Sequence, residues 1–419
     1  MNLEEMGRTV RSAARQLAKA STQEKNQALL QMADALWKKR DEILTANALD
    51  LKQGETSGLN PAMLDRLMLN ETRLQGIVND LRSLAELQDP VGEIFDAAVL
   101  PNGLKVHRQR VPIGVLAVIY ESRPNVTIDV VGLSVKSGNG VILRGGSESI
   151  HSNRALIDAV RVGFKGSALP IEAVQFIDDT DRSLVLKLMK MYNVVDMLIP
   201  RGGAALHKFC RENSLVPVIT GGIGICHLFV DETADIEASL PLIRNAKVQR
   251  PTVCNALDTV LVHRSVAGSF IPRLVQYLAA DGVTFRADPA AYNILSNHDL
   301  NMVKPAGPDD FDTEWLSLVL GIRVVDNLDQ AIDHIAAHST AHSDGILTRI
   351  DGNARQFIAE VDSAAVYVNA STRFTDGSQL GLGAEIAVST QRLHARGPMA
   401  LRELTTYKWV ISGDYHVRP

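Results

Sequence analysis

The chain of 419 residues is longer than one hydrophobic core usually supports, so we expect two or three domains. A hydrophobic content of 46% and a charged content of 22% are ordinary for a globular enzyme, and a net charge of -5 argues against broad nucleic-acid binding. No apolar run approaches a membrane span, and the N-terminus lacks the features of a secretory signal. Three cysteines, Cys210, Cys226 and Cys254, are too few for a disulfide framework, so a reducing cytoplasm fits best.

The elements change character along the chain. Residues 1 to about 90 predict helices, because apolar residues recur at helical spacing in stretches such as "EKNQALLQMADALWKKRDEILTANALDL". Two extended runs then flank Asn102-Gly103, a favoured hairpin turn pair, which predicts a β-hairpin at about residues 95–111.

Beyond the hairpin, strands and helices alternate. The first series of strands is predicted at "IGVLAVIY", "GVILRG", "AVQFID", "VVDMLIP", "VPVIT" and "HLFVD", and a second runs from "TVLVH" through "GIRVV", "GILTRI" and "AAVYVNA". Continuously apolar strands separated by helices predict parallel sheets covered on both faces. We therefore expect an α/β protein with domains at residues 1–225 and 226–370, and a return segment with a strand-like tail at 371–419.

Glycine pairs follow three of the predicted strands, where an open α/β sheet binds its ligands. Glycine lets a backbone approach a ligand, and a helix that starts just afterwards offers N–H groups to a phosphate. The alternative is that these glycines only form tight turns, and no G-x-G-x-x-G fingerprint is present. The pairs are Gly145-Gly146, Gly202-Gly203 and Gly221-Gly222.

Two further patterns receive the simpler interpretation. His334, His338 and His342 suggest a metal site, but no H-E-x-x-H motif or cysteine accompanies them, so we expect a solvated helix end. The adjacent pairs Asp178-Asp179 and Asp309-Asp310 predict turns or caps rather than an acid/base dyad.

The cysteines differ in their surroundings. Cys210 and Cys226 fall in helix and strand patterns that predict burial. Cys254 lies in the polar connector "QRPTVCN" near Lys247 and Arg250, and positive charge lowers the pKa of a thiol. From local sequence alone, Cys254 is either a buried filler or a nucleophile, because thiol chemistry depends on spatial neighbours.

Long stretches of the chain resemble the aldehyde dehydrogenase superfamily, nearly end to end, and in particular its reductases of acyl phosphates. The stretches include "GVLAVIYESRPNVTIDV", "SGNGVILRGG", "DMLIPRGGAALHKFCREN", "VPVITGGIGICH", "NAKVQRPTVCNALDTVLVH" and "VDSAAVYVNASTRFTDGSQLGLGAEIAVSTQRLHARGPM". The resemblance implies a cofactor domain, a catalytic domain, and an oligomerisation element made from the hairpin and the C-terminal tail.

The resemblance also implies a reaction, the NADPH-dependent reduction of L-glutamyl 5-phosphate to L-glutamate 5-semialdehyde with release of phosphate, a step of proline biosynthesis. A homo-oligomer, either a dimer or a tetramer, is implied as well. A glutamate 5-kinase is the partner that this reaction suggests, because acyl phosphates decompose in water.

Catalytic and cofactor roles follow from the resemblance residue by residue. Cys254 matches the nucleophile that forms a thioester, and Asn125 matches the asparagine that holds the developing oxyanion. The residues that match or adjoin the cofactor loops are Arg144, Gly145, Ser147, Arg201, Gly202, Gly203, Gly222 and Glu314.

The substrate residues are expected in polar segments. Arg373 in "NASTRFTDG" is the candidate for the α-carboxylate, because a guanidinium binds a carboxylate through two hydrogen bonds. The other candidates are Glu121, Arg123, Arg250, Ser371 and Thr372. Ordinary loop polarity is the alternative for this set.

Two departures from the aldehyde-oxidising relatives bear on the reaction. Ile219 and Thr220 stand where those relatives carry the glutamate base that activates water, which favours a reductase. Ser147 stands where NAD-using relatives often carry an acid, which favours NADPH, although Glu148 follows it. An aldehyde-oxidising dehydrogenase and a non-catalytic binding protein remain the alternative hypotheses.

Overall fold

The computed structural model describes residues 2–296 and 301–418. Its α-helices are α1 (Leu3–Leu17), α2 (Thr22–Lys38), α3 (Arg40–Thr56), α4 (Pro61–Leu67), α5 (Glu71–Glu86), α6 (Asn125–Lys136), α7 (Ile150–Phe164), α8 (Ser183–Met189), α9 (Ala204–Asn213), α10 (Ile236–Val248), α11 (Arg264–Ala279), α12 (Pro289–Leu295), α13 (Leu328–His338) and α14 (Asp351–Glu360). None of the helices in this part of the chain combines the length and the apolar composition that a membrane span requires.

The strands are β1 (Ile94–Val99), β2 (Lys105–Pro112), β3 (Val115–Tyr120), β4 (Gly140–Gly145), β5 (Val174–Phe176), β6 (Met197–Arg201), β7 (Cys226–Val230), β8 (Leu257–His263), β9 (Thr284–Ala287), β10 (Val303–Pro305), β11 (Val319–Val325), β12 (Ser343–Leu347), β13 (Ala365–Val368), β14 (Ala387–Ser389), β15 (Gly397–Met399) and β16 (Thr405–Ser412). The chain divides into two compact units. The first unit contains Met1–Thr220, Gly381–Ala387 and Met399–Pro419, and the second contains Gly221–Leu380 and Val388–Pro398.

The N-terminal helices of the first unit form where the sequence predicts them. Ser21 and Glu24 form a reciprocal capping box at the start of α2, which satisfies N–H groups that have no partner within the helix. The apolar stripe of α2 is buried, with Leu29, Met32 and Leu36 fully enclosed. Burial of this stripe, rather than helix propensity alone, stabilises the helix.

The first unit contains a four-stranded parallel sheet in the order β5-β4-β3-β6. Its central strands β3 and β4 are buried at every residue, as expected for a parallel sheet covered on both faces. The predicted strand "VPVIT" is wrong. Only the bridge between Leu198 and Val218 forms there, because Pro217 has no N–H to continue the ladder.

A separate three-stranded antiparallel sheet, β1-β2-β16, also belongs to the first unit. The predicted hairpin turn is present, and Gly103 adopts a φ of +89°, which glycine tolerates without a steric penalty. The C-terminal strand β16 pairs with β2 along its full length. Large apolar side chains are exposed on the sheet, namely Ile94, Val99, Tyr407, Trp409 and Ile411.

The second unit is built on a seven-stranded sheet in the order β10-β9-β11-β8-β7-β12-β13, and its described pairings are parallel. The central strands β7 and β8 are almost completely buried and form the core with helices α10 and α11. Strands β9 and β10 escape sequence analysis because each is short and carries a cation, Arg286 or Lys304, so that neither forms an apolar run.

Candidate active site

Cys254 lies in the loop between α10 and β8, where its side chain is partly exposed. The backbone around it is closely packed. The Cys226 thiol donates a hydrogen bond to the Cys254 carbonyl oxygen at 3.2 Å, and a Cβ added to Gly224 would lie 1.6 Å from that oxygen. The carbonyl of Cys254 is therefore held from two sides.

The other two cysteines are buried, as expected. Burial is the main cause that raises the pKa of Cys210 to about 11, and it also raises the pKa of Cys226 well above the ordinary value. Both side chains therefore remain thiols at neutral pH, and neither is a candidate nucleophile.

Asn255 joins the Cys254 loop to the polar segment that follows β13. The side-chain amide of Asn255 donates a hydrogen bond to the Thr375 backbone carbonyl at 2.9 Å. The backbone carbonyl of Asn255 accepts a hydrogen bond from the Thr372 hydroxyl at 2.7 Å. The Asn255 side-chain oxygen also accepts a hydrogen bond from the Arg373 guanidinium. The structure thus brings together two segments that are more than one hundred residues apart in sequence.

Arg373 is half-buried within this network. Its Nε donates to the Gln249 side chain at 3.0 Å, and Ser371 accepts from the Arg373 backbone N–H at 3.3 Å. Burial is the main cause that lowers the pKa of Arg373, and the nearby positive charge of Arg250 adds to it. Two guanidinium groups near Cys254 form a positive region suited to an anionic substrate.

Glu314 contacts the loop that precedes β7. Its carboxylate accepts a hydrogen bond from the Gly224 backbone N–H at 2.8 Å. Gly222, in the same loop, has a φ of +84°, a left-handed conformation that glycine adopts without steric penalty. The loop is fixed further by Thr340, which accepts from the Ile225 N–H and donates to the Ile223 carbonyl.

Asn125 is the first residue of α6 in the first unit. Its side-chain amide donates to the Asp129 carboxylate, one helical turn later, at 3.0 Å. Burial is the main cause that raises the pKa of Asp129 to about 7, with a smaller contribution from the negative charge of Asp80. Asp129 therefore fixes the rotamer of Asn125 and leaves one amide hydrogen for another acceptor.

The raised pKa of Asp129 makes stability dependent on pH. The ordinary pKa of an aspartate is 3.8, and in the folded chain the pKa of Asp129 is about 7. Between about pH 4 and pH 7 the folded chain therefore binds one proton more than the unfolded chain. This stabilising contribution is complete below about pH 4 and is lost as the pH rises through 7. We expect the free energy of unfolding of the wild type to fall by about 2 kcal/mol more than that of Asp129→Asn over this window, after discounting for partial exposure. Urea unfolding of both proteins at about pH 4 and at about pH 7 measures this difference. If the free energies of unfolding of the wild type and of Asp129→Asn changed equally with pH, the prediction would be contradicted.

The candidate cofactor residues of the first unit follow strands β4 and β6. The buried Arg144 guanidinium donates to the Gly145 carbonyl at 2.5 Å and to the Thr180 carbonyl at 3.1 Å. Burial is the main cause that lowers its pKa, and Arg182 contributes because it is a nearby positive charge. Ser147 begins a short 3-10 turn, and the adjacent Glu148 accepts from the Ser122 N–H and hydroxyl at 2.6 Å and 2.8 Å.

The loop after β6 leads into α9 through Gly202 and Gly203. Glu121 accepts a hydrogen bond from the Gly203 N–H at 3.2 Å, and a Cβ on Gly202 would meet that carboxylate at 2.3 Å. A Cβ on Gly203 would meet no atom within 4 Å, so the space before α9 is open. Glu121 and Arg123, two of the proposed substrate residues, belong to the first unit, whereas Arg250, Ser371, Thr372 and Arg373 belong to the second.

The histidine series is not a solvated helix end. His334 is 5% exposed and His342 is fully buried, so the sequence-based expectation is wrong for both. His334 lies on the inner face of α13, where its ring contacts Phe311 and His227. Within residues 2–296 and 301–418, no group of three or more His, Cys, Asp or Glu side chains is arranged to hold a metal ion.

Comparison with known proteins defines the class. The sequence profile of the aldehyde dehydrogenase family matches residues 2–290, and the chain belongs to this family. The chain is therefore an oxidoreductase of a family that uses nicotinamide cofactors.

Individual relatives are more specific. A protein of Aeromonas salmonicida named gamma-glutamyl phosphate reductase is 56% identical over 99% of both chains, and one of Photobacterium profundum with the same name is 54% identical over 100% of both. The crystal structure of gamma-glutamyl phosphate reductase from Thermotoga maritima is 47% identical, covers 100% of both chains, and superposes with a TM-score of 0.97.

Sequence reasoning missed three residues near these sites. Asn255 carries a polar amide directly after Cys254, and this position next to the cysteine could have indicated a role in the site. Asp129 lies four residues after Asn125 on one helix face, a spacing that could have indicated the hydrogen bond. Arg182 approaches Arg144 only through the fold, so no local pattern identifies it.

Proposed function

We propose that the chain reduces L-glutamyl 5-phosphate to L-glutamate 5-semialdehyde with release of phosphate, using NADPH and a thioester on Cys254, in proline biosynthesis. The observation that carries the proposal is the attachment of the Cys254 loop, through Asn255, to the segment that bears Arg373. The relatives that share more than half of the residues carry the name of this reductase.

Cys254 acts as the nucleophile in this proposal. Its sulfur forms a bond to the acyl carbon, and the carbon–oxygen bond to phosphate breaks with its electron pair on the leaving phosphate. NADPH, when bound, would supply a hydride to the acyl carbon. The carbon–sulfur bond then breaks with its electron pair on sulfur, which releases the aldehyde and restores the Cys254 thiolate. Ile219 and Thr220 support a reductase, because neither side chain can activate water to hydrolyse the thioester.

Asn125 is proposed to stabilise the oxyanion that develops on the acyl oxygen. The hydrogen bond to Asp129 supports this role, because it fixes the amide before the reaction begins. The remaining amide hydrogen can then be donated without reorganisation, which is the physical basis of such stabilisation.

The glutamyl group is proposed to bind at the positive region of the second unit. Arg373 is the candidate for the α-carboxylate, with Ser371 and Thr372 fixing its backbone, and Arg250 adds positive charge nearby. Glu121 and Arg123 are proposed to recognise the substrate ammonium and phosphate. The two guanidinium groups of the second unit, those of Arg373 and Arg250, fit a substrate that carries two anionic groups.

The residues of the first unit fit a dinucleotide. The open space at Gly203, before the N-terminus of α9, suits a pyrophosphate, with Arg201 and Gly202 beside it. Arg144 with Gly145 and Ser147 would hold the adenosine end. Gly222 and Glu314, which belong to the second unit, are proposed for the nicotinamide end. NADPH is favoured over NADH because Glu148 is engaged by Ser122, while Arg144 and Arg182 supply positive charge for a ribose phosphate.

Arg182→Ser tests this preference. We expect the KM for NADPH to rise about tenfold, the value of one charge-assisted hydrogen bond, with little change in the KM for NADH. Lys187→Ser is the matched control, because Lys187 is an exposed cation on α8, the helix that begins directly after Arg182. Steady-state kinetics with both cofactors measure the effect, and an equal change for NADPH and NADH would contradict the assignment.

The three-stranded sheet of the first unit is proposed as the subunit contact of a homo-oligomer. Oligomerisation is typical of the family, and Val99, Trp409 and Ile411 expose apolar surface that a second copy would cover. Sedimentation velocity measures the size, and a monomer at micromolar concentration would contradict the proposal. A glutamate 5-kinase is proposed to supply the labile substrate. A reducing cytoplasm is proposed as the location, because no disulfide joins Cys210, Cys226 and Cys254.

The reverse reaction separates the reductase from an aldehyde-oxidising dehydrogenase on the same fold. We expect glutamate 5-semialdehyde to reduce NADP beyond a single turnover only when inorganic phosphate is added, because phosphate must release the acyl group from Cys254 before the next cycle. Absorbance of the reduced cofactor, followed with and without phosphate, measures this dependence. Phosphate-independent turnover to free glutamate would contradict the reductase and support the dehydrogenase.

A further inference from the structure

A buried ion pair lies close to the Cys254 loop. Lys247, near the end of α10, and Asp258, on β8, are 0% and 3% exposed, and their charged atoms are 3.6 Å apart. This distance exceeds a hydrogen bond, and the Lys247 ammonium has no hydrogen-bond partner in the described structure. Lys247 therefore does not act as a free positive charge directed at the thiol, which is what its position in the sequence suggested.

Asp258 connects this pair to the backbone of the active site. It accepts a hydrogen bond from the Trp315 N–H at 3.2 Å, and Trp315 directly follows Glu314. Burial is the main cause that raises the pKa of Asp258 to about 6, and the charge of Lys247 and the N–H groups of Trp315 and Cys226 oppose it. One carboxylate thus holds two segments, the start of β7 and the loop of Glu314.

Both segments lead directly to the reacting residue. The Cys226 thiol donates to the Cys254 carbonyl, and the Glu314 carboxylate binds the N–H of Gly224, which packs against the same carbonyl. A displacement of Cys226 or Glu314 therefore moves the Cys254 backbone. Asp258 itself is buried, so it acts on the site through these backbone groups and not by touching substrate.

The energetics favour a functional reason for the pair. A buried ion pair with imperfect hydrogen bonding loses more by desolvation than it gains by attraction, and neutral replacements of similar volume are often as stable or more stable. We propose that Lys247 and Asp258 are positioning residues, which hold the backbone around Cys254 and Glu314 in the reactive arrangement at the expense of stability. The inference rests on the proposed role of Cys254 as the nucleophile.

The double variant Lys247→Met/Asp258→Asn tests the proposal without leaving an unpaired buried charge. We expect an unchanged or higher melting temperature, together with a fall of about 10- to 100-fold in kcat and in the rate of Cys254 alkylation by iodoacetamide, because a displacement of about 1 Å has such effects. The control is Lys25→Met/Asp89→Asn, a second buried pair in the first unit with exposures of 1% and 6%. The control is expected to leave the alkylation rate at the wild-type value.

Two outcomes would overturn the inference. Alkylation and kcat within twofold of wild type would show that the pair does not position the site. A fall in melting temperature that accounts for the activity loss, with an unchanged alkylation rate of the folded fraction, would show a merely structural role. Failure of the proposed function is separate, because it appears as retained activity of Cys254→Ala and leaves the alkylation comparison interpretable.

Discussion

Cys254→Ala is expected to abolish reduction of glutamyl phosphate, with a loss of about 10⁴-fold or more in kcat. The thiolate forms the covalent bond that makes phosphate leave, and no other described cysteine can replace it, since Cys210 and Cys226 are buried thiols with raised pKa values. The assay is NADPH oxidation with freshly prepared substrate. Thermal unfolding of the same preparation verifies that the variant is folded.

Cys210→Ala is the control for loss of a sulfur atom. Cys210 is fully buried in the core of the first unit, so we expect a small decrease in stability from the missing atom and a kcat close to that of the wild type. Equal losses of activity in the two variants would show that the effect of Cys254→Ala arises from folding. Activity retained by Cys254→Ala would contradict its assignment as the nucleophile.

Gly224→Ala is expected to reduce kcat by about 100-fold. The added methyl group would lie 1.6 Å from the Cys254 carbonyl oxygen, which is less than half of an ordinary contact, so the Cys254 backbone must move. A displacement of about 1 Å at a reacting group has effects of this size. The rate of Cys254 alkylation should fall as well, and thermal unfolding of the same preparation provides the measure of an intact fold.

Gly268→Ala provides the matched control in the same unit. Gly268 lies within α11, and a Cβ there meets no atom within 4 Å. We expect the substitution to raise the free energy of unfolding by about 0.4–1 kcal/mol, because alanine restricts the unfolded chain, and to leave kcat unchanged. If Gly224→Ala behaved like this control, the close contact would have no role in positioning Cys254.

Much of the fold could be predicted from the sequence because its signals are local. Continuous apolar strands such as β3 and β4 indicate a parallel sheet, and Asn102-Gly103 indicates the hairpin turn. The failures also have local causes, since Pro217 interrupts an apolar run, and the short strands β9 and β10 carry Arg286 and Lys304 and so form no apolar run. The aldehyde dehydrogenase fold expected from the resemblance is confirmed by the family match.

The site could be predicted only in part. The resemblance predicts Cys254 as the nucleophile and the polar segment after β13 predicts Arg373 as a substrate residue, and both roles stay predictions. The structure joins the two segments through Asn255. Local sequence could not identify the pair Lys247 and Asp258, because the type of a charged residue in a helix or strand does not reveal whether its side chain is buried or paired. The sequence analysis predicted a solvated His334 for the same reason. A polar residue type favours exposure, but His334 lies on the buried face of α13.

The central claim is that Cys254 carries the acyl group. The most direct measurement is intact-protein mass spectrometry after the enzyme is mixed with freshly made glutamyl phosphate without NADPH and quenched with acid. We predict a mass increase of one glutamyl group, mapped by peptide analysis to Cys254 and lost on addition of NADPH. A protein that remains unmodified, or that carries the group on a residue other than Cys254, would contradict the account.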